Sequence, residues 1–263
     1  MLDRLITTFN RLPIWRRHVH LGNDVLLVPN FDRWLYVKLQ ALRLMGRDER
    51  SFLSDHVTPG MTVVDIGANI GVYSIFLADL VGTHGRVFAF EPDPVLFEAA
   101  VTNVRVNGKN EVITLHNLAL GSRTGQATLH RSTYNSGDNR LSASATHKES
   151  VPVNVARADD VLDGAKIDLI KMDVQGWESD VLRGLEQTLR SNPALTVYFE
   201  YWPEGLRRAG EPLSSPVEIL HECGFSVFVP GEHEPLSSQK IERLAKLYSG
   251  KRFLNLVAKR LLS

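Results

Sequence analysis

One stretch constrains the fold more than any other: Val63-Val64-Asp65-Ile66-Gly67-Ala68-Asn69-Ile70-Gly71-Val72-Tyr73. A short β-branched run ends in an acid, a glycine turn follows, and a second apolar run begins at helical spacing. That pattern predicts a strand–turn–helix unit whose turn lets a ligand approach bare backbone. Further on, Arg86-Val87-Phe88-Ala89-Phe90 reads as a second strand ending in Glu91. An acid at the tip of strand two, beside a glycine turn after strand one, is how α/β sheets hold a ribose through its hydroxyls. The pair predicts a ligand that contains a nucleoside.

The turn narrows the choice. A pyrophosphate-binding loop needs G-x-G-x-x-G so that no side chain stands between phosphate and helix N-terminus. Here the glycines are Gly67 and Gly71, with Ala68 and Asn69 between them, and Asp65 adds negative charge that suits a cation better. S-adenosylmethionine carries a ribose, an adenine, a zwitterionic amino-acid end and a sulfonium, and it has no phosphate. It fits these residues better than NAD does. Two alternatives stand beside a methyltransferase: an NAD-dependent oxidoreductase, and a non-catalytic Rossmann-like module that binds a partner through the basic C-terminus (Lys240, Arg243, Lys246, Lys251, Arg252, Lys259, Arg260).

The rest of the chain supplies the frame. Its 263 residues suffice for one large α/β domain, and 30 basic against 30 acidic residues give no basic excess of the kind that marks nucleic-acid binding. The lone cysteine, Cys223, excludes an internal disulfide and fits a reducing compartment, so a cytoplasmic protein is expected. No apolar run reaches the roughly 20 residues of a membrane span. Residues 1–12, with Trp15, Arg16 and Arg17, read as a helix packing on the domain or lying on a membrane surface. A hairpin is expected over 18–29, turning at Gly22-Asn23-Asp24, then a helix over 31–45.

Strands are expected at 63–66, 86–90, 112–116, 167–172, 195–199, 225–229 and 253–258. Helices are expected after the first turn and over 94–106, 177–189, 216–223 and 238–248. Strands at 126–130 and 151–155 flank a polar segment, 131–150, with no periodicity of its own. This alternation predicts a doubly wound, mostly parallel seven-stranded sheet with an N-terminal hairpin and helix extension. Residues 1–59 form the extension and 60–263 the cofactor-binding domain. Asp65, Glu91, Asp173 and Glu200 fall at carboxyl ends of strands, where such sheets bind ligands.

Four blocks carry a resemblance: Asp65–Gly71 with Tyr73-Ser74; Phe90-Glu91-Pro92; Asn117-Leu118-Ala119-Leu120-Gly121; and Ile170-Lys171-Met172-Asp173-Val174-Gln175-Gly176-Trp177-Glu178. In order and spacing the chain resembles the FkbM family. The resemblance implies a class I (Rossmann-like) S-adenosylmethionine-dependent methyltransferase acting on hydroxyl groups of saccharides or other natural products. One position departs: Gln175 stands where the family usually has glutamate. Glutamine is no base and holds a divalent metal weakly, so no catalytic role is assigned to it.

From this follow the candidate residues. Glu91 is the ribose ligand. Asp65 holds the methionine amino group or braces the turn, Gly67, Asn69, Gly71 and Tyr73 line it, and Asn117 and Ala119 face the adenine. Asp173 is the candidate base for the acceptor hydroxyl, with an N-cap role for the next helix as the alternative. Tyr134, Asn135, Ser136 and Asn139 of the polar segment, with Glu200, are the acceptor contacts. Glu178 reads as a first-turn acid, and His116 and His130 lie nearest the crevice. No cluster has metal-ligand spacing, and there is no G-x-S-x-G elbow or P-loop.

Overall fold

The computed structural model describes residues 18–29, 32–41, 46–132, 135–141, 149–248, 250 and 252–261. An antiparallel hairpin, β1 (His18–Leu21) and β2 (Asp24–Leu27), leads to helices α1 (Arg33–Ala41) and α2 (Arg47–His56). The central elements are β3 (Thr62–Ile66), α3 (Val72–Val81), β4 (Arg86–Phe90), α4 (Pro94–Val106) and β5 (Ile113–His116). Next come β6 (Ala119–Gly121), β7 (Gly125–Arg131), β8 (Glu149–Arg157) and α5 (Ala158–Leu162). The chain continues through β9 (Leu169–Met172), α6 (Glu178–Gly184), α7 (Glu186–Ser191), β10 (Thr196–Tyr201) and α8 (Pro203–Arg208). It ends with α9 (Ser215–Glu222), β11 (Ser226–Phe228), α10 (Ser238–Leu247) and β12 (Leu254–Lys259).

The main sheet has seven strands in the order β11-β12-β10-β9-β3-β4-β5, and β12 alone runs antiparallel to its neighbours. The chain winds outward from β3 through β4 to β5, then returns to β9 on the other side of β3. The switch point therefore lies between β3 and β9, where a crevice opens beyond the strand ends. Apolar residues of β3 and β4 face both layers of helices. Val64, Ile66 and Phe90 join the core under α6, α7 and α9, while Val63, Val87 and Ala89 join the core under α3 and α4. Helix α4 starts at Pro94 as expected, and Asp93 is its N-cap, the side chain accepting the Val95 N–H at 2.9 Å.

Val19, Leu26, Leu35, Leu39 and Leu53 share the second core with α3 and α4. Two side-chain amides of α4 tie β2 down. Asn103 Oδ1 accepts the Leu27 N–H at 2.6 Å, and Asn107 pairs with both backbone groups of Val25 at 2.9 and 2.8 Å.

Several expectations change. Helix α2 was not anticipated, because only Phe52 and Leu53 of its ten residues are large and apolar. The single helix expected over 177–189 is two, α6 and α7. At Gly184 the chain lies so close to Gly121 that a Cβ would sit 1.9 Å from the Gly121 carbonyl. Residues 119–121 form β6, which pairs with β8 in a second, three-stranded sheet with β7. The polar segment is shorter than expected, since β7 runs to Arg131 and β8 starts at Glu149. Strand β10 continues past 199, so Glu200 pairs with Asn255 inside the strand. Residues 1–17, the predicted N-terminal helix among them, and Tyr134 lie outside the described residues. Among the described residues no helix is long and apolar enough to cross a membrane.

Candidate active site

A cavity of about 320 Å³ lies at the switch point. Its floor is the turn after β3. The Gly67 and Ala68 N–H groups both donate to the Phe90 carbonyl, at 3.0 and 2.9 Å, which fastens the turn to the end of β4. Gly67 has φ 83°, and a Cβ there would meet the Asp173 carbonyl oxygen at 2.0 Å. Only glycine allows the turn and the end of β9 to touch. Asn69 is one of three described non-glycine residues with positive φ, at 53°, beside Asp163 and Gln175. Its backbone N–H donates to Glu91 Oε2 at 2.7 Å, and the Asp93 N–H donates to Oε1 at 2.9 Å. Each Glu91 oxygen thus keeps acceptor capacity while the carboxylate stays fixed. Burial pushes the Glu91 carboxyl up to about 8, against the pull of its two N–H donors.

Asp65 does not line the cavity. It is fully buried beneath the turn, accepts the Ser74 hydroxyl at 2.7 Å, and has the Lys171 ammonium 3.2 Å from its other oxygen. The two residues are direct cross-strand partners in β3 and β9. Lys171 lies 4.8 Å from the Tyr73 ring centre. Burial works to lower the Lys171 pKa, but Asp65, Asp173 and Glu49 outweigh it and hold the ammonium above its ordinary range. The carboxylate is thus taken up by Ser74 and Lys171, and the described N–H groups of the turn donate elsewhere, so bracing of the turn through its backbone N–H groups is not what Asp65 does. Gly71 also lies outside the cavity, at the N-cap of α3 against Ala100, and the Asn117 amide donates to the Glu91 and Pro92 carbonyls, at 2.8 and 3.0 Å. Gly67, Asn69, Tyr73, Glu91 and Ala119 do line it.

The opposite wall holds two carboxylates and one amide. Gln175 Nε2 donates to Asp173 Oδ1 at 2.7 Å and to Glu200 Oε1 at 2.8 Å. Gln175 has φ 54°, a conformation that costs a side-chain-bearing residue energy and is held by its surroundings. A glutamate here would set a third carboxylate against two. The amide instead gives one hydrogen to each. Burial, then the charge of Asp173, raises the Glu200 carboxyl well above the usual carboxylate range. Trp177, not Asp173, is the N-cap of α6, so the capping alternative for Asp173 falls away. Glu178 is buried, accepts the Gly176 N–H at 3.1 Å, and is pushed up to about 7 by burial.

Residues 135–141 arch over the cavity. Ser136 bonds the Asn69 amide at 3.0 Å, and its backbone N–H donates to Asp32 Oδ2 at 2.9 Å. Asn139 accepts the Ser132 N–H at 2.9 Å and donates to Asp93 at 3.2 Å; Arg131 clamps the same Asp93 with two bonds of 2.7 Å. Asn135 caps the Gly137 N–H at 3.2 Å. All three side chains line the cavity, and all spend polar atoms on building the arch.

His116 stacks on Phe90 and His130 accepts or donates to the Ser150 hydroxyl; neither lines the cavity. Among the described residues no group of His, Cys, Asp or Glu is arranged to hold a metal ion. The basic C-terminus is partly structural: the Arg260 guanidinium donates to the carbonyls of Asn192, Leu189 and Cys223.

Residues 65–227 match the model of the methyltransferase FkbM domain. The chain belongs to the FkbM methyltransferase family. Methyltransferase sdnD of Sordaria araneosa is 28% identical over 198 residues, 63% of this chain and 73% of that one. The 2-O-methyltransferase NoeI of Sinorhizobium fredii is 31% identical over 182 residues, 62% and 72%. The hexuronic acid methyltransferase AglP of Haloferax volcanii is 29% identical over 134 residues, 48% and 51%. A solved structure described as an rRNA methylase, from Clostridium thermocellum, has 12% identity and a TM-score of 0.51 over 82% of this chain and 95% of that one, a likeness of fold.

The cofactor of this FkbM-family enzyme is S-adenosylmethionine, which decides against the oxidoreductase and the non-catalytic module. The residues present fit it. Glu91 keeps free acceptor positions for ribose hydroxyls, the Gly67 turn exposes backbone, and the cavity is within the roughly 300–1,000 Å³ of small-molecule sites.

Proposed function

We propose that this FkbM-family enzyme methylates a hydroxyl group of a saccharide or similarly polyhydroxylated natural product. The observation that carries the reading is the Asp173–Gln175–Glu200 bridge in the cavity wall, with Asp173 in backbone contact with the Gly67 turn. S-adenosylmethionine supplies a methyl group on a sulfonium. The chain supplies the rest. Glu91 and the turn from Gly67 to Asn69 hold the ribose, and Tyr73 and Ala119 flank the cofactor. Asp173 accepts the proton of the acceptor hydroxyl, a task that needs a positioned carboxylate. The Gln175 amide fixes that carboxylate's rotamer, and Glu200, protonated well above the usual carboxylate range, offers a donor or acceptor to a neighbouring hydroxyl. The arch of Asn135, Ser136 and Asn139 closes the cavity from above and excludes water.

The relatives NoeI, named as a 2-O-methyltransferase, and AglP, named as a hexuronic acid methyltransferase, support a hydroxylated saccharide acceptor. The test is mass-spectrometric detection of methyl transfer to a panel of neutral sugars, uronic acids, phenols, carboxylic acids and amines. Methyl ethers on sugar hydroxyls are the expected product. Methyl esters or methylamines in their place would overturn the reading.

A further inference from the structure

Arg140 lines the cavity and carries a buried, charged nitrogen that has no hydrogen-bond partner. Its backbone is pinned to β7, the N–H donating to the His130 carbonyl at 3.1 Å and the carbonyl accepting the His130 N–H at 2.8 Å. The side chain lines the cavity and is 2% exposed. Its guanidinium carbon lies 4.9 Å from the ring centre of Trp202, which also lines the cavity and is itself held by its indole N–H donating to the Gly250 carbonyl at 2.7 Å. Nη2 pairs with the Asp138 carboxylate and Nε reaches the Asp138 carbonyl at 3.3 Å. Nη1 has no hydrogen-bond partner.

A guanidinium keeps its charge, so it cannot relieve burial by losing a proton. Leaving a charged N–H unpaired in a buried site is costly, and native structures rarely do so without a functional reason. The local charge balance is also positive. Asp138 is partly exposed and so partly screened. Arg208 lies on the same Trp202 ring, 5.6 Å from its centre, and the nearby Glu204 is taken up by Arg207 and Arg208. Burial pulls the Arg140 pKa below its ordinary value, as expected of a cation short of counter-charge. Lys171, the other buried cation of the cavity, is by contrast matched by Asp65.

We infer that Arg140, seated on Trp202, recognises an oxyanion carried by the acceptor, namely the carboxylate of an acidic sugar. The single unclaimed nitrogen favours one-point contact with a monoanion over a clamp on a doubly charged phosphate. The inference rests on the saccharide reading above and narrows it to uronic acids.

The test is calorimetric titration of the protein loaded with S-adenosylhomocysteine, using glucuronate, glucose and sodium acetate as probes. Glucuronate is expected to bind at least about ten-fold tighter than glucose, the scale of one charge-assisted hydrogen bond. Arg140→Gln should bring the two sugars within about two-fold of each other while S-adenosylhomocysteine affinity is unchanged. Equal binding of both sugars by the unmodified protein, which needs no variant to fold, would overturn the inference. So would a glucuronate preference that survives Arg140→Gln. If neither sugar binds but acetate does, and Arg140→Gln removes it, the oxyanion site stands and the saccharide reading falls. If none of the three binds, the oxyanion site falls too.

Discussion

On the cofactor side of the cavity, backbone groups do most of the holding. The Gly67 and Ala68 N–H groups fasten to Phe90, and the Asn69 and Asp93 N–H groups fasten Glu91. On the wall assigned to the acceptor, side chains hold side chains: Gln175 between Asp173 and Glu200, Ser136 on Asn69, Arg131 and Asn139 on Asp93. A backbone-built site is specified by a few neighbouring residues and tolerates change at most others. A site built from side chains depends on partners from distant strands, and each partner is a point where the acceptor can be changed. The common cofactor and the variable acceptor are thus served by two kinds of construction.

Four substitutions or titrations sharpen this contrast, taken from the largest effect down. Asp173→Asn should lower turnover by about 10²–10⁴ while leaving S-adenosylhomocysteine affinity nearly intact. Near-normal turnover would remove Asp173 as the base, and lost cofactor binding would make it part of the cofactor side instead. Asp65→Asn strands the buried Lys171 ammonium and should cost about 3–5 kcal/mol in urea unfolding, the scale for breaking a buried ion pair. A loss below 1 kcal/mol, a value about that of a surface pair, would mean the pair is not buried in solution. Glu91→Ala should weaken S-adenosylhomocysteine by about 1.5–3 kcal/mol in calorimetry, without changing acceptor preference.

The smallest effect is on pH dependence. Ribose hydroxyls donate best to an ionised Glu91, whose carboxyl titrates near 8 in the free protein. Cofactor affinity should therefore rise with pH up to about 8 and then level off, with proton release on binding below that pH. In the free protein the linkage to stability has its own sign. Unfolding returns Glu91 to its ordinary value of 4.5, so its contribution to stability is full below that pH and is lost as pH rises through about 8. A flat affinity profile in the unmodified protein would show that Glu91 ionisation is not linked to binding, and an equal slope in Glu91→Gln would show that another group titrates.

The same contrast explains what was legible in the sequence. The β3 turn, Glu91 and α4 could be read because each rests on residues adjacent in the chain: a glycine that must touch backbone, an acid after a strand, a proline opening a helix. Asp65 was placed beside the ligand because strand-end position does not reveal depth. Its role follows from pairing with Lys171, which needs the register of β3 against β9. A lysine inside the apolar run Leu169–Met172 was a usable sign of a buried partner. Gln175 was set aside for what glutamine cannot do as a base, whereas its amide serves as a donor to two carboxylates that only the fold brings together. Residues 135–141 lack periodicity because their order comes from Asp32, Asn69 and Asp93, which are remote in sequence.

The most direct test of the account is a crystal structure with S-adenosylhomocysteine bound. The account predicts both ribose hydroxyls on the Glu91 carboxylate, with the homocysteine sulfur facing the side of the cavity that holds Asp173, Gln175 and Glu200. A ribose bound away from Glu91, or a sulfur facing away from those three residues, would contradict it.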